Sequence, residues 1–403
     1  MVLIYKTYCY LHKLAKIILG DRVSSNDVEE GFPASLNLGV SEIEAKDYWG
    51  QFIKNSFIQH EHMFSGTHFA GYIADKSSWC LSSWIWTSAA IVRCYCTEGE
   101  IDKAIHLAEK LAIQQQANGG WIVRNDFDKN GPIPMLAPND SAYIANNAFV
   151  TLYEKTNNDH YLKIACKCAD WIIETARFDG MVMVGYDLKN KKWKEGNIVD
   201  TGFTAALFAK LFQITGEVKY KEFLVSFIYK YIDLFYIPSK KGFSTSLNQN
   251  DEQIGGMFGR GQAWALEGLI PAYIVLQSED LKSIIENTIN TLIRKQLRNG
   301  SWAYNLTKPL LGEDCKGVSV IAKNLIEWHI LFPNDDILFA AQKALIWCMK
   351  HTDIKSPAKG GIFSFSMEGA IVYHLYTSTA FVYSSAYAIE LYNYLHEYSL
   401  VSR

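Results

Sequence analysis

The sequence predicts an all-α fold, an (α/α)6 barrel of six helical hairpins, and three observations lead there. Apolar residues recur at helical spacing through twelve segments, with very little strand-like alternation. The connections between those segments are short and long by turns. A motif also recurs in which a helix gives way to glycine and a bulky apolar residue: QQQANGGW (114–121), KQLRNGSW (295–302), KGGIF (359–363) and, more weakly, KKGF (240–243). Hairpins of this kind cannot bury their faces alone and must stack side by side. An open solenoid is the alternative, but it would show more regular repeats and polar capping units.

The candidate helices are about 43–58, 82–96, 99–117, 141–155, 158–177, 201–214, 218–236, 262–276, 279–297, 317–330, 334–350 and 378–397. Tight connections occur at TNNDH (156–160), TGEV (215–218) and LFPND (331–335). Long, glycine-containing ones run over 118–140, 178–200, 299–314 and 356–369. Residues 1–40 read as an N-terminal extension and 41–403 as the barrel. In such a barrel the helices reached from long loops form the inner ring, and their N-termini converge on one mouth.

Composition narrows the function. Hydrophobic residues make up 49% of the chain and charged residues 20%, as in ordinary globular proteins. The 23 Tyr, 21 Phe and 11 Trp suit a thick helical core or a cleft that stacks flat ligands such as sugar rings. A net charge of -3 without long runs excludes the footprint of a nucleic-acid binder, and LKNKKWKEG (188–196) reads as solvated loop. The opening MVLIYKTYCYLHKLAKIILG is not expected to be a signal peptide. Lys6, His12, Lys13 and Lys16 break its apolar run, and no small-residue cleavage site follows. No segment has the length of a membrane span. Of the eight cysteines, Cys166, Cys168 and Cys348 fall within helical patterns, and Cys94-x-Cys96 lacks C-x2-C spacing. Buried thiols in a cytoplasmic protein, monomeric or a small homo-oligomer, are expected.

The inner helices are predicted to begin near Ser82, Asp140, Asp200, Gly261, Gly317 and Ser378. A lone Asp at such a place is usually a cap. Asp140 and Asp200 head neighbouring inner helices, so both carboxylates should face one pocket. There their pKa values can separate and leave one protonated, as glycosidic chemistry requires. Asp314 reads as a salt-linked cap or a substrate contact. Trp84, Trp86, Trp121 and Trp264 are candidate stacking platforms, or core. GRGQAWALEG (259–268) follows a polar, flexible-looking NQNDEQIGG (248–256). It starts a helix with Arg260, Gln262 and Trp264 in place of a polar cap, and the Arg260 fork there suits a carboxylate. His374, between Tyr373 and Tyr376, is a candidate substrate contact. His60, His62 and His68 match no zinc motif, and no metal is assigned.

GRGQAWALEG resembles the R-G-Q-x-W-x-x-x-G segment of the unsaturated glucuronyl hydrolases and unsaturated rhamnogalacturonyl hydrolases, a family of (α/α)6-barrel glycoside hydrolases. DTGFTAALFAKLFQITGEVKY (200–220) is similar to the family segment that opens on its general acid/base. Asp140 looks like the second essential aspartate, and WIWTSAAIVRCYCTEGE (84–100) is similar to the first inner helix, where an aromatic helps bind sugar. The resemblance covers roughly residues 45–397. It implies hydration of the C4–C5 double bond of an unsaturated uronic acid at the non-reducing end of an oligosaccharide, within polysaccharide degradation. Asp200 would be acid and base, Asp140 its partner, and Arg260, Gln262 and Trp264 would shape the sugar site. No cofactor is implied. The chain departs from the family pattern in PIPMLAPND (132–140), in the absence of histidine from FSTSLNQNDEQ (243–253), and in CKGVS (315–319). Three alternatives stay open: a lyase, a sugar epimerase drawing bases from His374 and Tyr143, or a non-catalytic saccharide-binding relative.

Overall fold

The computed structural model describes residues 41–63, 67–73, 77–80, 82–126, 131–132, 135–308, 313–314, 316–354, 358–363 and 379–401. The N-terminal extension and His374 lie outside them. Among the described residues the helices are α1 (Glu42–Met63), α2 (Ile85–Thr97), α3 (Ile101–Gln114) and a continuous α4. The last runs from Pro138–Ile144 through a π-helical turn, Ala145–Val150, into Thr151–Thr156. They continue as α5 (Asp159–Thr175), α6 (Thr204–Thr215) behind a 3-10 turn at Val199–Phe203, α7 (Val218–Phe235) and α8 (Gly259–Leu276). The last four are α9 (Glu279–Lys295), α10 (Val318–Leu331), α11 (Asp335–Lys350) and α12 (Val382–Val401).

The inner ring is α2, α4, α6, α8, α10 and α12. Each packs on the next, and α12 packs back on α2, so the ring is closed as the sequence predicts. Each inner helix pairs with the outer helix that follows it. The exception is α12, whose outer partner is α1, so the sixth hairpin is built from the two ends of the described chain. Burial follows position. The outer helix α9 buries Leu281, Ile285, Thr288, Ile289 and Leu292, a single stripe. The inner α10 buries Val318 through Ile326 without a break. Outer helices α5, α9 and α11 start on side-chain caps, Asn158, Ser278 and Asn334. Inner helices α2, α4, α6, α8 and α10 start on none.

The recurring motif is the joint between neighbouring outer helices. After α3, the Gln115 amide donates to the Gly119 and Ile164 carbonyls at 2.9 and 3.1 Å, and the Trp121 indole donates to Leu111 at 2.8 Å. After α9, Gln296 donates to Gly300 and Ala340, and Trp302 to Leu292 at 2.8 Å. Gly119 and Gly300 have φ of 105° and 97°, and a Cβ there would strike the carbonyls of Lys167 and Lys343.

The polar segment 248–256 is more ordered than its composition suggests. Ser246–Leu247 pairs with Gln253–Ile254 and with Asn197–Ile198, the strand just before Asp200. Arg177 clamps the hairpin through Asp251 at 2.9 and 2.6 Å. Six of the eight cysteines are described, and Cys94, Cys96, Cys168 and Cys348 among them are buried. Among the described residues no helix is long and apolar enough to cross a membrane.

Candidate active site

Asp140 lies in the first turn of α4 behind Pro138, and Asp200 lies in the 3-10 turn before α6. These two turns pack on each other, and the charge of Asp200 is felt at Asp140. The turn at Asp200 is held from three sides. The Tyr231 hydroxyl donates to the Val199 carbonyl at 2.8 Å, and Thr201 donates to Asn197 at 3.0 Å. Gly268 of α8 lies so close to the Gly202 carbonyl that a side chain there would collide with it.

Both carboxyls are half-buried, and their electrostatics differ. Burial, reinforced by the charge of Asp200, pushes Asp140 up to about 7. Burial also raises Asp200, but Arg260, a backbone amide hydrogen bond and Lys316 pull it back to about 6. The cations therefore stand on the Asp200 side, and the proton is held more firmly at Asp140.

Arg260 sits in the first turn of α8. One Nη donates to the Tyr383 hydroxyl at 2.7 Å and lies 3.8 Å from Asp314, and its plane stacks over Phe258. Its Nε is buried without a partner, as are Asn139 Oδ1 beside Asp140 and Thr204 Oγ1 beside the Asp200 turn. Asp314 is therefore an ion-pair partner of Arg260, and its other oxygen accepts from the Lys316 amide at 3.1 Å. The Lys316 ammonium lies 4.7 Å from the Phe381 ring. Trp84 stacks on Trp86 and Phe381, with centroids 6.0 and 5.4 Å apart, and Trp86 leans on Tyr383 at 4.7 Å. These half-buried indoles line the mouth between the first and last inner helices. Trp264, buried edge-on against Trp86, Tyr143 and Phe203, lies in the floor.

Two expected sugar contacts belong to the scaffold. Trp121 is 1% exposed, stacks on Phe149 and spends its N–H on Leu111. Gln262 is fully buried: its amide accepts from Phe243 N at 2.7 Å and donates to the Phe243 and Phe258 carbonyls. That bridge explains the unusual helix start, because Gln262 ties the loop to α8 from inside the first turn. His60 Nδ1 accepts from the Thr67 amide at 3.0 Å and His68 Nδ1 bonds Ser88 at 3.3 Å, so both imidazoles serve the fold. The side chain of His62 lies outside the described residues. Sequence reasoning passed over Lys316, Tyr383 and Phe381. Each lies within the first turn of its inner helix or immediately before it, where the same search could have found it.

The sequence matches the family model for Glycosyl Hydrolase Family 88 over residues 81–382. No curated protein matches it. Among solved structures the fold is similar to the unsaturated glucuronyl hydrolase of Bacillus sp. GL1, with a TM-score of 0.67 and 12% identity over 86% of this chain and 96% of that one. It is also similar to a possible member of the GH105 family from Salmonella enterica, with a TM-score of 0.62 and 16% identity over 91% and 97%. A cellobiose 2-epimerase from Bacillus thermoamylovorans shares the fold too, with a TM-score of 0.67 and 11% identity over 86% and 98%. Since the family model spans Asp140, Asp200, Arg260 and most of the barrel, the chain belongs to Glycosyl Hydrolase Family 88 and is a glycoside hydrolase.

Proposed function

We propose that this glycoside hydrolase removes an unsaturated uronic acid from the non-reducing end of an oligosaccharide, by adding water across the C4–C5 double bond. The observation that carries the reading is the asymmetric carboxyl pair, Asp140 near 7 and Asp200 near 6, with Arg260 and Lys316 on the Asp200 side. At pH 7 the pair holds roughly half a proton, mostly on Asp140. A uronate carboxylate docking against those cations would offset them and draw the proton to Asp200. Asp200 then protonates C4, leaving the cation at C5 stabilised by the ring oxygen. Water adds at C5 and returns its proton to Asp200. The C5 hemiketal opens, and the hemiacetal formed at C1 releases the leaving sugar. Asp140 positions the substrate and tunes its neighbour.

The neighbouring readings want different groups. An epimerase using Tyr143 as a base would need a free hydroxyl, and that hydroxyl is engaged with Tyr387 at 2.6 Å. The test is absorbance near 235 nm with a panel of unsaturated uronyl disaccharides. Loss of the chromophore, abolished by Asp200→Asn, is the expected result. No loss with any glucuronyl or galacturonyl member, from folded protein, overturns the reading.

A further inference from the structure

Beneath the pocket lies a buried polar layer that the proposed reaction does not use. Arg93 on α2 grips Glu390 on α12 with two bonds of 2.8 Å. It also donates to Asn147 on α4 at 2.6 Å and to Glu267 on α8 at 2.7 Å, and its guanidinium lies over the Tyr387 ring. The Tyr387 hydroxyl is 3.0 Å from both Glu267 oxygens. A phenol has one proton to give. With that proton directed at Glu267, the 2.6 Å contact between the two tyrosines is Tyr143 donating to Tyr387. The chain therefore has a direction: Tyr143 to Tyr387 to Glu267, with Arg93 closing it against Glu390.

The sequence spacing of this layer is informative. Tyr143 and Asn147 follow Asp140 by three and seven residues. Glu267 follows Arg260 by seven, Tyr387 and Glu390 follow Tyr383 by four and seven, and Arg93 follows Trp86 by seven. On a helix, offsets of three, four and seven share one face. Each member thus lies one or two turns directly below a residue of the pocket, on four of the six inner helices. Asn147 joins from within the π-helical turn at Ala145–Val150, and also donates to the Tyr143 carbonyl at 3.1 Å. Such turns re-aim side chains at working sites.

We propose that this layer is a positioning device: the Arg93–Glu267–Tyr387–Tyr143 network sets the separation across the pocket between Asp140, on α4, and the Arg260 and Tyr383 pair on α8 and α12. It rests on reading Asp140 and Asp200 as the reacting pair. None of its members touches the reacting atoms. A network of paired buried charges has one arrangement that satisfies every group, so the helices above it inherit a fixed spacing. Asp200 raises Asp140, and Arg260 and Lys316 act on Asp200. A change in helix spacing alters that balance without removing any of those charges.

Tyr387→Phe removes one hydroxyl and keeps the ring. The readout is 13C-detected titration of the Asp140 and Asp200 carboxyls in the full chain, which needs no substrate. The midpoint of Asp140 is expected to move by about one unit, and kcat on any substrate found to fall about tenfold with KM within about twofold. Trp302→Phe, at the outer joint, is the control: it should lower the melting temperature and leave the Asp140 midpoint in place. If Tyr387→Phe fails to fold, Tyr143→Phe breaks only the first link and takes the same test. An Asp140 midpoint identical to wild type in a folded variant overturns the proposal. Wild-type protein that spares every unsaturated disaccharide would sink the proposed reaction, and the titration would still decide the positioning role.

Discussion

Asp140→Asn should make this protein more stable, and only above acid pH. In the unfolded chain Asp140 titrates near 3.8, whereas in the fold it holds its proton to about 7. Between those values the native state binds a proton that the unfolded state has lost, so stability falls as pH rises through the window. About three units at about 1.4 kcal/mol each give a ceiling of about 4 kcal/mol. Solvent reaches the half-buried carboxyl, and screening reduces the effect to roughly 2 kcal/mol. Asparagine keeps the shape and carries no charge, so it escapes this penalty. Urea unfolding of both proteins at pH 4, 6 and 8 measures the gap. It should be near zero at pH 4 and reach about 2 kcal/mol in favour of the variant at pH 8. A variant no more stable than wild type at pH 8, or one with the same advantage at pH 4, would refute the electrostatics assigned to the pair. Loss of activity with gain of stability is what a strained acid site should give.

Other perturbations follow from the same geometry. His68 and His60 are held neutral by burial, down to about 3 and about 4, so their contribution is full above 6.5 and is lost as pH falls through those values. His68→Phe should therefore keep more of its melting temperature than wild type between pH 7 and 4; an unchanged acid loss in calorimetry contradicts this. Gln262→Leu removes three buried hydrogen bonds and leaves the Phe243 N–H unsatisfied. A loss of about 2–4 kcal/mol in chemical unfolding is expected, and a loss below about 0.5 kcal/mol would show that the bridge is idle. Trp121→Phe and Trp302→Phe each delete the same indole bond of 2.8 Å at equivalent joints. Their costs should agree within about 1 kcal/mol, near 2 kcal/mol each, and widely different costs would deny the equivalence of the two repeats.

The barrel was legible because its helices are long and their ends are punctuated. Apolar period and alternating connector length are properties of the chain that survive any packing. The acidic pair was legible for a related reason: Asp140 and Asp200 head consecutive inner helices, and the closed ring leaves their first turns no place except side by side. Direction was not legible. Trp121 and Gln262 stand in glycine-rich stretches that look like a cleft lining, and each turns inward to bind backbone groups. Nothing in the residue types distinguishes an indole facing a sugar from one facing a carbonyl.

Recurrence does distinguish them in part. A group that the scaffold needs returns with the period of the scaffold, as Gln115 and Trp121 return at Gln296 and Trp302 with the same spacing and the same partners. A group that the reaction needs stands once. Asp140, Asp200, Arg260 and Lys316 do not belong to that repeat. The Arg93 layer obeys a third rule, for its members come from four inner helices far apart in sequence. They are tied by offsets of three, four and seven from residues that are themselves unique. That pattern becomes meaningful only once the closed ring shows which helices meet across the barrel axis. Long-range polar pairing of this kind is carried by topology, and the polar residues of inner helices are the place to look for it, because a buried polar group left without a partner is costly.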